Sequence, residues 1–183
     1  GIEVGLDYSK KLGQVEFNVG GNFSLNKNEI KEMLEEPRQY ANLVQTGNPY
    51  EQLYGLEAIG FFKDEADIAA SPTQNFSTVK PGDIKYRDVN GDNIIDANDK
   101  VAIGYSTTCP EIYYSLHLGA EWKGIGFYAM FQGTGNYSAV LDTKSMYWPL
   151  INNTNISQYA YDNRWTPQNQ NAKFPRLSSQ SNA

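Results

Sequence analysis

The feature that most limits how this chain can fold is a two-residue alternation of apolar and polar side chains, held over four long stretches. In Gly1–Ser9, Ile2, Val4, Leu6 and Tyr8 alternate with Glu3, Gly5, Asp7 and Ser9. After a predicted tight turn at Lys10–Gly13, Val15, Phe17, Val19, Gly21, Phe23 and Leu25 alternate with Gln14, Glu16, Asn18, Gly20, Asn22 and Ser24. The pattern returns with Ile112, Tyr114, Leu116, Leu118, Ala120 and Trp122 against Glu111, Tyr113, Ser115, His117, Gly119 and Glu121. A two-residue turn at Lys123-Gly124 then leads into Ile125, Phe127, Ala129 and Phe131, set against Gly126, Tyr128, Met130 and Gln132. Side chains of a β-strand point alternately to its two faces, so each stretch predicts a strand with one apolar side and one polar or glycine side. These strands are longer than the usual globular strand of about 5–6 residues.

Alternation alone leaves two architectures open. A soluble sandwich covers one face of each sheet and wets the other. A transmembrane β-barrel turns the apolar face to lipid and the polar face to its lumen. Connection lengths favour the barrel. The links run short, very long, short, very long, with roughly 85 residues between the second and third strands, and a compact soluble domain rarely carries such a loop. Barrels of the outer-membrane type have short turns at one end and long loops at the other.

Within the long connection the period changes. Ile30, Met33 and Leu34 fall at helical spacing in Asn26–Glu36, which predicts a short helix stopped by Pro37. Leu53–Phe62 reads as a further strand, and Asp64 as the cap of a helical turn through Glu65, Ala66, Asp67 and Ile68. Ser71–Pro81 reads as loop, and Gly82–Arg87 as extended chain.

Composition removes several functional classes. No run of about 18 apolar residues exists to cross a bilayer as a helix. Among 183 residues, 15 Lys and Arg stand against 21 Asp and Glu, a net charge of −6, with a sequence pI near 4.8. That balance argues against a nucleic-acid partner, which requires a concentrated basic face. The single cysteine, Cys109, excludes an intramolecular disulfide and a cysteine zinc site. Cys109 has no basic neighbour to activate it, so it reads as an inert thiol. The one histidine, His117, lies on a polar strand face and reads as a hydrogen-bonded structural residue. No pairing of these residues predicts an enzyme. The opening at Gly1 and the polar end at Ala183 read as cuts within a longer sequence.

One motif carries specific chemistry. Asp88-Val89-Asn90-Gly91-Asp92-Asn93-Ile94-Ile95-Asp96-Ala97-Asn98-Asp99 has the spacing of a calcium loop. Side-chain oxygens are needed at positions 1, 3, 5, 9 and 12, and a backbone carbonyl at 7. Asp88, Asn90, Asp92, Asp96 and Asp99 supply the first set, and Ile94 the carbonyl. Position 6 is Asn93 instead of glycine, and position 12 is the short Asp99 instead of glutamate. No helix precedes the loop, so it is dockerin-like rather than one of an EF-hand pair. A structural Ca2+ and a metal-free polar turn both remain open. Tyr137, Tyr147, Trp148 and Trp165 are the candidates to stack on a sugar ring, with packing of the loops against each other as the alternative.

Several blocks, taken together, resemble the C-terminal barrel region of SusC/RagA-type TonB-dependent outer-membrane transporters of Bacteroidota. They are Pro81–Asp92, Ile95-Asp96 with Asp99-Lys100, Ile103-Gly104, the strand ending Phe131-Gln132-Gly133, Asn163–Pro167 and Asn171–Leu177. The resemblance implies an all-β fold: antiparallel strands of a transmembrane β-barrel, partial and not closed, with long extracellular loops containing short helical turns. Residues 1–26 and 111–136 would be barrel hairpins. Residues 27–110, carrying the calcium-type loop 88–99, and 137–183 would be outer loops. The family's barrel has about 22 strands, so these four are a piece of its wall. The resemblance further implies a SusD-like lipoprotein and TonB as partners, oligosaccharide or peptide cargo, and the Gram-negative outer membrane as location. Apolar strand faces would meet lipid, and Glu16, Asn18, His117 and Glu121 the lumen. The alternative is a secreted, calcium-stabilised β-module that binds glycan or protein.

Overall fold

A computed structural model describes residues 1–141, 143, 150 and 154–179. The regular structure among the described residues is mainly antiparallel β with few helices, and the strands do not close into a barrel. The chain divides into two compact units. The first comprises Gly1–Glu35, Gln45–Leu53 and Gly104–Ala139, and the second Glu36–Val44, Tyr54–Ile103 and Val140–Ala183.

The first unit is built on one sheet. Its strands are β1 (Ile2–Leu12), β2 (Val15–Leu25), β9 (Ile112–Trp122) and β10 (Ile125–Gly135), each 11 residues long and hydrogen-bonded in that order. Every pair is antiparallel and in unbroken register, including β2 with β9 across the long connection. No proline interrupts any of the four, so no ladder donor is missing. The first turn is the two residues Gly13 and Gln14, because Leu12 still pairs with Val15. Lys10 and Lys11, expected in the turn, continue the strand. Gly13 takes φ +64°, the left-handed conformation that two-residue hairpins need and glycine adopts without strain. At the opposite end the long connection is tied to the sheet by Asn26 N–H donating to the Glu111 carbonyl at 2.7 Å.

The helix expected in Asn26–Glu36 does not form. Ile30 instead exchanges backbone hydrogen bonds with Gly47 and Asn48, at 2.8 and 2.9 Å. The Glu35 carboxylate accepts from the backbone N–H groups of Gln45 and Thr46 and from the Thr46 hydroxyl. Leu34 is fully exposed, so a helix here would have had nothing to bury its apolar side against.

The second unit consists of short pieces: β3 (Tyr54–Gly55), β4 (Ala58–Phe61), α1 (Glu65–Ala69), β5 (Thr73–Gln74), β6 (Ile84–Tyr86), β7 (Ile94–Ile95), β8 (Val101–Ala102) and α2 (Gln158–Asp162). The strand expected over Leu53–Phe62 is two strands, because β3 pairs with β8 while β4 pairs with β6 through an irregularity between Ala58 and Gly60. Asp64 caps α1 as expected, its carboxylate accepting from the Asp67 N–H at 2.8 Å. Within Ser71–Pro81, β5 makes the one parallel pairing of named strands, with β7.

Among the described residues, all the buried hydrophobic side chains belong to the second unit: Phe62, Ile95, Ala160 and Trp165. The sheet buries none.

Candidate membrane face and acidic loop

Strand register converts the sequence alternation into two continuous surfaces. One row across the four strands is Tyr8, Val19, Leu118 and Ala129; the rows on either side are Leu6-Gly21-Leu116-Phe131 and Lys10-Phe17-Ala120-Phe127. The outermost rows of the same face are Ile2-Leu25-Ile112-Gly135 and Leu12-Val15-Trp122-Ile125. Lys10 is the one charged side chain on this face. Its side chains lie open among the described residues: Ile2 is 61% exposed, Leu6 73%, Phe127 66% and Ile125 70%. An apolar surface of this extent marks contact with another apolar phase, since soluble monomers rarely leave more than a few hundred Å² uncovered.

The other face is polar. Its central row is Asp7, Gly20, His117 and Met130. His117 Nε2 lies 3.0 Å from Asp7 Oδ1, reaching from β9 to β1 over Gly20 of β2. A Cβ at Gly20 would stand 2.2 Å from that carboxylate oxygen, so glycine is what lets the two side chains meet. Tyr128 stacks beside His117 with ring centroids 6.3 Å apart. Glu16, Asn18 and Glu121 share this face. The sequence marked His117 as structural but did not reveal Asp7 as its partner; Gly20 was the available signal.

The acidic loop is folded around its own backbone donors. Asp88 accepts from Gly91 N–H at 2.7 Å and Asn93 N–H at 2.9 Å. Asn90 accepts from Asp92 N–H, and Asp92 from Ile94 N–H. Asp96 accepts from Asn98 N–H at 2.6 Å. Asp99 is wholly buried and accepts from Val89, Asn90 and Asp96 N–H at 2.8, 3.3 and 2.9 Å. Asn93 takes φ +63°, the left-handed turn required at that position, and Ile95 is buried. The candidate ligand atoms are all oxygens, which is calcium chemistry. Among the described residues, however, no three carboxylate, imidazole or thiol side chains come together as a metal cage.

Two sequence blocks some ninety residues apart meet in the second unit. Gly82 N–H donates to the Phe62 carbonyl at 2.7 Å, and Arg176 N–H to the Gly82 carbonyl at 2.9 Å. The Arg176 guanidinium places Nε 2.8 Å from Asp83 Oδ1 and donates from Nη2 to Oδ2 at 3.2 Å. Asp83 Oδ2 also accepts from Lys80 N–H at 2.8 Å. Trp165 lies against Gly82 and is only 7% exposed, so it packs this junction and presents no open ring to a sugar. Of the other stacking candidates, Tyr137 is 43% exposed, and Tyr147 and Trp148 lie outside the described residues. Nearby, Lys85 Nζ sits 2.7 Å from Asp67 Oδ1 and 5.7 Å from the centre of the Phe62 ring. The Lys85 hydrogen bond, with a second from Lys63 N–H, holds the Asp67 carboxyl below its ordinary range. Burial raises the Tyr86 phenol.

An antiparallel wall with one uncovered apolar face, one polar face and no closure has the form of a partial transmembrane β-barrel. No family model matches the chain. It is 31% identical over 128 residues to the TonB-dependent receptor P26 of Formosa agariphila, a match that takes in 69% of this chain. The similarity supports the TonB-dependent receptor family. The chain spans 12% of the length of that relative.

Proposed function

We propose that β1, β2, β9 and β10 are part of the lipid-facing wall of a TonB-dependent transporter of the SusC/RagA type in the Gram-negative outer membrane. The observation that carries this reading is the apolar face of the sheet, charged only at Lys10, with a polar face behind it and no buried hydrophobic side chain of its own among the described residues. In this reading the long connections are extracellular. The whole protein imports oligosaccharide or peptide with a SusD-like lipoprotein and energy delivered through TonB. These finer assignments are supported by the blocks around Pro81–Asp92 and Asn163–Leu177. The Ca2+ site at Asp88, Asn90, Asp92, Ile94, Asp96 and Asp99 is supported by spacing and oxygen chemistry; bound there, the ion would neutralise the clustered carboxylates and stiffen the loop.

The wall is tested with single spin labels at Val4, Val19, Leu118 and Phe127 on one face and at Glu3, Asn18, Ser115 and Gln132 on the other, in the reconstituted full-length protein. Oxygen-accessible, nickel-excluded labels on the first face and the reverse on the second are expected. Nickel access on both faces would sink the wall and favour the secreted β-module. Calorimetric titration tests the loop: saturable calcium binding, lost in Asp88→Ala/Asp92→Ala, is expected.

A further inference from the structure

Charge is distributed unevenly along the apolar face. Every row from Ile2-Leu25-Ile112-Gly135 to Tyr8-Val19-Leu118-Ala129 is free of charge, and Lys10 enters in the next row, one short of the row Leu12-Val15-Trp122-Ile125 that borders the short turns. A lysine on the lipid side of a barrel costs roughly 2–4 kcal/mol at mid-bilayer and close to nothing near the interface. Eleven-residue strands span about 33 Å along their axis and about 25 Å once tilted, the height of an outer-membrane apolar band. Lys10 then lies about 5 Å inside the turn end, within the reach of a snorkelling lysine side chain.

The same edge carries two more features. Trp122 is half exposed in the last row, where an aromatic girdle belongs, and the Lys123 ammonium stands 5.2 Å from its ring centre. Lys123 occupies the β9–β10 turn with φ +48°, a conformation disfavoured for a side-chain-bearing residue, so the cation is kept at a position glycine would fill more easily. The acids of this end, Glu16 and Glu121, face each other on the polar side and leave the lipid side of the edge purely cationic.

Resting on the wall reading above, the geometry points to the turn edge as a binding surface for anionic phospholipid headgroups. Lys10 and Lys123 take the phosphates and Trp122 lies at the acyl boundary. The surface fixes the depth of the wall in the leaflet on the short-turn side.

The test uses the full-length protein in nanodiscs of phosphatidylcholine mixed with phosphatidylglycerol, with retained lipid counted by native mass spectrometry. Phosphatidylglycerol should be enriched over its bulk share by roughly fivefold for each lysine. Lys10→Gln/Lys123→Gln should lose that enrichment, and Lys10→Arg/Lys123→Arg should keep it. Equal enrichment in wild type and the glutamine variant overturns the inference, as does its loss in an arginine variant that inserts normally. A wild-type protein that inserts into neither this bilayer nor pure phosphatidylcholine overturns the wall reading itself, and this inference with it.

Discussion

At the scale of single residues, the second unit turns on two adjacent positions. Gly82 has φ +90°, and a Cβ there would stand 2.4 Å from the Trp165 ring. Gly82→Ala combines backbone strain with overpacking, so it should cost roughly 1–3 kcal/mol in a denaturant titration of the full-length protein. Arg176→Ala leaves the buried Asp83 carboxylate without its guanidinium and should cost roughly 3–5 kcal/mol, while Arg176→Lys should recover only part of that. Asp67 gives a pH dependence of known sign. Its carboxyl is held below the ordinary value of 3.8 mainly by Lys85, so the unfolded chain takes up the proton more readily than the folded one. The ion pair's contribution is complete above that ordinary value and fades as the pH falls through the depressed one. Asp67→Asn should lower stability at neutral pH by roughly 0.5–1 kcal/mol. The gap from wild type should shrink in acid, as melting curves across that range would show.

At the scale of the element, the four long strands owe their faces to register. A one-residue slip would send each strand's apolar set to the other side. The prediction belongs to a pair of neighbours. Leu118→Arg, on the apolar face near mid-strand, should destabilise the protein in a bilayer by roughly 2–4 kcal/mol. Ser115→Arg, on the polar face of the same strand, should stay within about 0.5 kcal/mol. Refolding titrations into lipid vesicles measure both, and equal costs would mean the faces do not differ in their surroundings. The sequence showed these strands plainly because a period of two over so many residues has no competing explanation. It misled at Asn26–Glu36, where helical spacing was present but Ile30 and Glu35 found better partners in residues 45–48. Weak local propensity yields whenever distant backbone groups offer hydrogen bonds and no apolar stripe needs burying.

At the scale of the whole molecule, edge strands β1 and β10 have no further partner among the described residues, so each keeps a free row of backbone donors and acceptors. Closure by other strands would satisfy those rows. We therefore expect the 183-residue chain on its own to associate in detergent-free buffer and to become monodisperse in detergent, by sedimentation analysis. A monodisperse, cooperatively melting monomer without detergent would contradict the wall. The acidic loop shows the limit of reading a site from spacing. Spacing singled out Asp88, Asn90, Asp92, Asp96 and Asp99 only as candidate oxygen ligands, and their folded hydrogen bonding to backbone N–H groups follows from how the loop closes on itself.

The sequence by itself determined the four long strands, the turn at Lys123-Gly124 and the split of each strand into apolar and polar sides, because these follow from side-chain order and local backbone geometry. Tertiary structure alone decided that β2 lies beside β9, that Asp7 reaches His117 over Gly20, and that Asp83 is held by Arg176. It also decided that Trp165 fills the space above Gly82 instead of facing solvent. The physical reason is the same in each case. Pairings between residues distant in sequence depend on which backbone and side-chain groups are left unsatisfied once the local elements have formed, and no local pattern records that remainder.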